Sequence, residues 1–304
     1  VLFRSITLGQ RSDALFPVMG SLGWFFLNGV FLTLASCVHS ATAASTAYTV
    51  MPWMCLERCG ENSASIANNI KQIVDNSDVF GAVSFERFNL GAGGKLVLNN
   101  LTDPTTAFGI AGVDMYPMVS SYPYPPKFID WMREVFDNPQ PFMESVVDVI
   151  QKHGYAGINL DWEPTSGATP ADGIAYAEFL GKLSTALHAV GAEATVDVGA
   201  WSSVWNFTAL ATSGVDRVMT MSTYTDDEAT WKKELLYARD TLLPAQLVVG
   251  LETFRLNGTA YPLSQLEERF HALEALNVSS IALWKAPVPK EWLPLLRKFA
   301  EGTL

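Results

Sequence analysis

Cations are scarce in this chain. Lys and Arg number 20 against 31 Asp and Glu, for a formal net charge of -11 over 304 residues, and no stretch gathers the positive residues into a stripe. Without such a stripe there is little to neutralise nucleic-acid phosphates or grip an anionic membrane surface, so nucleic acid is not an expected partner. Histidine is scarcer still, at four, and the spacing of those four fits no metal-ligand pattern. No Gly-rich phosphate loop opens a helix and no GxSxG elbow occurs, which removes the common nucleotide and serine-hydrolase sites. Neither cofactor nor metal is expected. Blocks of like charge and internal repeats of roughly 20–50 residues are missing too, which excludes tails, fibres and solenoids. What is present is 49% hydrophobic and 12% aromatic residues, enough to bury a full core.

The N-terminal stretch is of a different kind. Position 1 is Val rather than Met, and residues 1–18 are set aside as a candidate non-native start. Residues 22–37 are almost wholly apolar, interrupted by Asn28, and lead into Ser40-Ala41-Thr42-Ala43-Ala44, whose small residues suit cleavage after Ala43. The reading is a secretory signal peptide. The alternative is a signal anchor, because the apolar run approaches the roughly 17–25 residues of a spanning helix. Domain organisation is therefore read as 1–43 for the start and signal, and 44–304 for one folded domain, secreted or lysosomal/vacuolar, with no stable membrane insertion once cleaved. Cys37 would leave with the signal; Cys55 and Cys59 would remain as a pair able to form a small disulfide or stay as thiols. Asn100, Asn206, Asn257 and Asn277 head Asn-x-Ser/Thr sites, acceptors for glycans in a eukaryotic secretory pathway.

From Ala47 onward, short β-branched or aromatic runs alternate with helical stretches, the pattern of βα units and a parallel sheet. Eight runs stand out, at residues 48–53, 79–85, 113–119, 156–162, 194–200, 217–221, 246–251 and 280–284, with helices between them such as 65–74, 141–153, 171–190 and 263–276. Thr169-Pro170-Ala171-Asp172 supplies a capping hydroxyl, a first-turn Pro and an acidic third residue, and Gly191 a stop. Eight strands with alternating helices predict an α/β fold, a single closed (β/α)8 TIM barrel, and residues 44–304 match the usual length of about 250. Little chain separates the seventh and eighth runs, so no large inserted α+β domain is expected there.

The informative stretch is Gly157-Ile158-Asn159-Leu160-Asp161-Trp162-Glu163-Pro164. Alternate side chains of a strand share a face, so Asn159, Asp161 and Glu163 point one way and Ile158, Leu160 and Trp162 the other. Barrel interiors are normally filled by Val, Ile and Leu, and burying carboxylates without partners costs several kcal/mol. An active site at the C-terminal mouth of the barrel accounts for such a stripe; a buried hydrogen-bonded network is the other account.

These residues resemble the Asp-Gly-x-Asp-x-Asp-x-Glu signature on the fourth strand of glycoside hydrolase family 18, the chitinases and endo-β-N-acetylglucosaminidases. Ala156 stands where that family usually has Asp, and Asn159 where the first Asp of the triplet sits, as in the di-N-acetylchitobiase branch. Residues 195–201, 246–251 and 281–284 resemble the fifth, seventh and eighth strands more loosely. The resemblance implies hydrolysis of β-1,4 linkages at N-acetylglucosamine, in chitin, chito-oligosaccharide or an N-glycan core, with retention and with the substrate's own 2-acetamido carbonyl as nucleophile. It implies Glu163 as acid and then base, Asp161 as the group orienting the acetamido N–H, Asn159 beside Asp161 and able to hydrogen-bond it, and a catalytic Tyr224. Trp284 is implied as the sugar-site floor, with Asp197, Trp201 and Glu252 as further substrate-binding candidates. Met221-Ser222-Thr223-Tyr224 is one residue longer than the family's Met-x-Tyr-Asp, so Tyr224 reaches the site only through a local bulge. The Ser-x-Gly-Gly of the third strand is replaced by Ser120-Ser121-Tyr122-Pro123.

Two other readings stay open. Trp162-Glu163-Pro164 with Glu252 after the seventh run could be the paired carboxylates, roughly 5–5.5 Å apart, of an ordinary retaining glycosidase. A chitinase-like lectin that binds sugar without turnover is the second.

Overall fold

The computed structural model describes residues 49–255 and 257–304. The stretch read as start and signal peptide, with Cys37 and Tyr48, lies outside the described residues. Strands β1 (Thr49–Met54), β2 (Ala82–Gly91), β3 (Lys95–Leu98), β4 (Asp114–Ser120), β5 (Gly157–Asp161), β6 (Glu193–Val198), β7 (Arg217–Thr220), β8 (Leu247–Glu252) and β9 (Ser280–Trp284) form a single sheet in the order β1-β9-β8-β7-β6-β5-β4-β2-β3. All neighbours are parallel except β2 and β3, and β1 also pairs with β2. That last pairing closes eight parallel strands into a barrel, so the sheet leaves no free parallel edge. The fold is a single (β/α)8 barrel, as the alternation predicts.

Helices α1 (Ser63–Asp75), α2 (Thr105–Ala111), α3 (Phe128–Asp137), α4 (Gln140–His153), α5 (Pro170–His188), α6 (Phe207–Ala211), α7 (Glu228–Thr241), α8 (Leu263–Ala275) and α9 (Leu293–Glu301) surround it. The start of α5 is the one anticipated. Thr169 accepts from the Asp172 N–H, Asp172 reaches back to the Thr169 N–H at 2.7 Å, and Pro170 fills the first turn, where it forfeits no hydrogen bond. Between β8 and β9, among the described residues, lie α8 and one isolated antiparallel bridge, Phe254 to Ala260, with no further sheet. No helix among the described residues is long and apolar enough to cross a membrane.

The second strand departs from the expected 79–85. Val79 and Phe80 belong to a turn closed on the Asn76 carbonyl, and their side chains pack into the outer core instead. β2 then continues to Gly91 and folds back as β3. Gly93 and Gly94, with φ of +76° and +65°, make the tight return that other residues resist. A register shift between Glu86 and Phe88 breaks the alternation of β2, so Glu86 faces the barrel interior while Phe88 joins the outer core.

Two apolar clusters result. A small one, with Met51, Trp53, Ala82, Tyr116, Met118, Met219, Val248 and Ala282, fills the barrel interior. The larger one lies between strands and helices and includes Ile158, Leu160 and Trp162. The inner cluster is interrupted by polar side chains, and they lead to the site.

Candidate active site

β5 sets the site by alternation. Its outward residue Trp162 is fully buried, stacked on Phe179 at 5.5 Å and 4° and edge-on to Phe142. Those contacts fix the strand end whose inward side carries Asp161 and Glu163. Ser121 clamps the same point, its N–H donating to the Asp161 carbonyl at 3.0 Å and its hydroxyl accepting from the Glu163 N–H at 3.3 Å.

Asn159 is buried below them. Its Nδ2 donates to Thr195 Oγ1 at 2.9 Å and to Asp197 Oδ1 at 3.0 Å, and its Oδ1 accepts from the Ser84 hydroxyl at 3.2 Å. The hydrogen bond between Asn159 and Asp161 that the resemblance allowed is not among these contacts. Neighbours on one strand face lie two residues apart along the chain, whereas the parallel register sets Asn159 directly beside Thr195 on β6, within reach of Asp197. Asp161 is 4% exposed and its Oδ1 has no hydrogen-bond partner.

Above this layer opens a cavity of about 200 Å³ lined by Asp161, Glu163, Asp197, Tyr224, Trp284 and Trp201, which the sequence singled out, and by Trp53, Arg58, Tyr124 and Met221, which it did not. Tyr224 arrives by a turn rather than a bulge. Its N–H donates to the Met221 carbonyl at 3.0 Å, and the Thr223 hydroxyl donates to the Gly250 carbonyl at 2.7 Å. The turn can lie this close because position 250 is glycine: a Cβ there would stand 2.0 Å from the Thr220 carbonyl oxygen and 2.7 Å from the Tyr224 ring. Trp284, at the end of β9, stands edge-on to Trp53 at 6.2 Å, and Trp53 stands edge-on to Tyr224 at 6.1 Å. Trp201 is 60% exposed at the rim and also lines the adjoining pocket formed by residues 163–168 and 201–203. Glu252 does not line the central cavity. It lies in a neighbouring pocket with Asp226, Arg255 and Tyr261, accepting the Tyr261 hydroxyl at 2.7 Å.

The charges are unevenly balanced. Burial pushes Asp161 well above the ordinary carboxylate range, and the nearby Glu163 and Asp197 push it further. Asp197 is raised by burial as well, partly offset by the Asn159 hydrogen bond. Glu163 is raised by burial, against the opposing pull of Arg58, of the Asp161 carboxyl and of the Tyr124 hydroxyl. Burial likewise lifts Glu86, on β2, to about 7 despite its ion pair with Arg58. These four carboxyls therefore include groups that stay protonated where free carboxylates are ionised, which is the condition for a general acid. Among the described residues no group of three or more His, Cys, Asp or Glu could hold a metal ion.

Arg58 is delivered by a short 3-10 turn (Leu56–Cys59) after β1, enclosed by a Cys55–Cys59 disulfide. The sequence offered the cysteine pair but no hint that the arginine between them enters the site. Tyr124 comes from the segment after β4, where the family's Ser-x-Gly-Gly is missing, and its hydroxyl lies 3.4 Å from Glu163 Oε1.

No protein-family model matches the sequence, and no curated protein matches it. Solved structures do. A chitinase from Chromobacterium violaceum superposes with a TM-score of 0.68 at 14% identity, over 84% of this chain and 99% of that one. The spore cortex-lytic enzyme SleL of Bacillus cereus follows at 0.66 and 13%, over 84% and 74%. A catalytic domain of an Ostrinia furnacalis group II chitinase, in complex with penta-N-acetylchitooctaose, matches at 0.61 and 13%, over 79% and 90%. At such identities the likeness is one of fold: the chain has the barrel of the chitinases.

Proposed function

We propose that this protein is a glycoside hydrolase of the family 18 type, cleaving β-1,4 linkages next to N-acetylglucosamine with retention of configuration and with the substrate's acetamido group as nucleophile. The observation that carries this reading is Oδ1 of the Asp161 carboxyl, buried and without a partner in a residue that lines the same cavity as Glu163. A buried acceptor left unpaired costs roughly 1–3 kcal/mol, and an acetamido N–H in the cavity would supply the missing donor. With that N–H held, the acetamido carbonyl can reach the anomeric carbon from one face while Glu163, protonated, gives its proton to the glycosidic oxygen. Glu163, now ionised, then takes a proton from the water that opens the cyclic intermediate. The ring of Trp284, backed edge-on by the buried Trp53, offers an apolar face to sugar C–H groups, and Tyr224 a hydroxyl in reach of the same space.

The resemblance of Asn159, Asp161 and Glu163 to the family signature supports the reading, as does the oligosaccharide bound by the Ostrinia neighbour. The partner is accordingly a carbohydrate containing N-acetylglucosamine. The place of Glu252 in a separate pocket favours this mechanism over a Glu163–Glu252 carboxylate pair. For the chain as a whole we propose a folded domain from 44 to 304 behind a cleaved signal, and a secreted or lysosomal/vacuolar location. The Cys55–Cys59 disulfide is in keeping with an oxidising compartment.

The acetamido requirement gives the test. A chromogenic N,N'-diacetylchitobioside should turn over at least about a hundredfold faster than the cellobioside with hydroxyl in place of acetamido, the advantage of an intramolecular nucleophile. Proton NMR of the first product should show the β anomer. Equal rates on the two substrates, or an α product, would remove the mechanism.

A further inference from the structure

The group that no known part of such a reaction calls for is the buried pair Arg58 and Glu86. Glu86 is wholly inaccessible, and its only partner among the described residues is the Arg58 guanidinium. A buried ion pair is a poor way to stabilise a barrel, since apolar side chains of similar volume do as well or better. Its position suggests another use. Arg58 is the sole cation among the described residues lining the central cavity. Its Nε faces Glu86, its Nη1 donates to the Tyr124 hydroxyl at 2.7 Å, and its guanidinium stands 5.7 Å from the Trp284 ring.

The direction of the hydrogen bonds follows from chemistry. A guanidinium can only donate, so the Tyr124 oxygen accepts from Arg58 and its own hydrogen is free for the next acceptor, Glu163 Oε1. That oxygen of the acid is thereby held as an acceptor, and the transferable proton is left to the other one. At 3.4 Å the last contact is long, as such bonds often are before substrate binds. Building on the hydrolase reading above, we propose that Arg58 is a positioning residue for the acid: the disulfide-closed loop after β1 sets its guanidinium between Glu86 and Tyr124, and through that hydroxyl it fixes the orientation and charge environment of Glu163.

Glu163 is faced by Asp161 from β5, Asp197 from β6, Glu86 from β2, Tyr124 from the segment after β4, Tyr224 from the turn after β7, and Arg58 from the loop after β1. Within that set Arg58 alone favours the ionised acid by charge, and Glu86 offsets it to the extent that its own raised carboxyl is ionised. The two members of the pair must therefore act on Glu163 in opposite senses. Removing Arg58 makes Glu163 hold its proton to higher pH. Neutralising Glu86 leaves the arginine uncompensated and makes Glu163 release it at lower pH.

The experiment is a carbon-13 NMR titration of the Glu163 carboxyl, assigned by its loss in Glu163→Gln, in the wild type, Arg58→Met, Glu86→Gln, Arg58→Lys and Tyr124→Phe. The same proteins are then run through kcat against pH on the chitobioside. The midpoint and the alkaline limb should rise by about 1 pH unit in Arg58→Met and fall in Glu86→Gln. They should rise in Tyr124→Phe, which keeps the ion pair and loses only the hydroxyl. Arg58→Lys keeps the charge without the two-ended fork, so its midpoint should stay near that of the wild type while kcat drops. A merely structural pair would lower the melting temperature in every variant and leave the Glu163 midpoint in place. Midpoints that do not move, or that move the same way in Arg58→Met and Glu86→Gln, overturn the proposal; should Glu86→Gln fail to fold, an unmoved midpoint in Arg58→Met and Tyr124→Phe does so. Because the titration needs no substrate, a wild type without turnover would count against the hydrolase reading alone.

Discussion

Asp161 and Glu163 stand two residues apart on a strand end whose other face is locked by Trp162, and that arrangement was readable from alternation alone. Asn159 belongs to the same stripe, but its partner could not be read that way, because cross-strand register and not sequence proximity gives it Asp197 and Thr195. Among the described residues its amide is the one hydrogen-bond donor in contact with the buried Asp197 carboxyl. Asn159→Ala should therefore leave a buried acceptor unpaired, at a cost of about 1–3 kcal/mol. Thermal unfolding at constant pH checks this, and for a domain of this size the melting temperature should drop by several degrees. An unchanged melting temperature would mean that Asp197 finds another donor. Arg58, Glu86 and Tyr124 were invisible in the sequence for physical reasons. Two of them come from connecting segments, whose course no periodicity encodes, and the third sits beside a bulge that breaks the alternation of its strand.

Among the elements, α5 shows how much a short motif can specify. The Thr169 to Asp172 box was legible because each of its residues does a local job that needs no tertiary information. The structure adds Arg133 of α3, whose Nε and Nη2 donate to the two Asp172 oxygens at 2.8 and 2.9 Å. Those bonds, then the Thr169 contacts, hold the Asp172 carboxyl well below the usual carboxylate range. A carboxyl lowered on folding contributes stability above its unfolded pKa of about 4, and that contribution fades as pH falls through the lower folded value. Asp172→Ala should thus lower stability by about 1–2 kcal/mol at pH 6 and by progressively less below pH 4, read by urea unfolding across the range. A deficit that stays constant down to pH 2 would mean the side chain acts by packing and not by charge. The hairpin of β2 and β3 is an element the sequence offered and the strand count passed over. Leu90 and Leu96 flank Gly91-Ala92-Gly93-Gly94, a turn signal whose two left-handed glycines are what the return requires.

For the whole molecule, eight apolar runs separated by helices were enough to specify a closed barrel, because a parallel sheet needs helical crossovers and an eight-stranded one can bury both faces. Strand ends were less legible, since the last residue of a strand is set by where its neighbour stops pairing. The barrel also explains why the polar stripe of β5 is tolerated. Its carboxyls are gathered at one mouth, where burial raises them and a substrate can satisfy them, while the polar groups below, Ser84, Asn159 and Thr195, satisfy one another and the apolar cluster fills the remaining space. The central claim is that this mouth hydrolyses a β-linked N-acetylglucosaminide with Glu163 as acid and the acetamido group as nucleophile. It is tested most directly by following release of the chromophore from the N,N'-diacetylchitobioside by the protein from Ala44 onward, beside Glu163→Gln, with a thiazoline mimic of the cyclic intermediate as inhibitor. The account predicts a kcat about 10²–10⁴ lower in Glu163→Gln, with the fold intact, and competitive inhibition of the wild type by the thiazoline. Turnover that survives Glu163→Gln, or sugar binding with no turnover in the wild type, would contradict it.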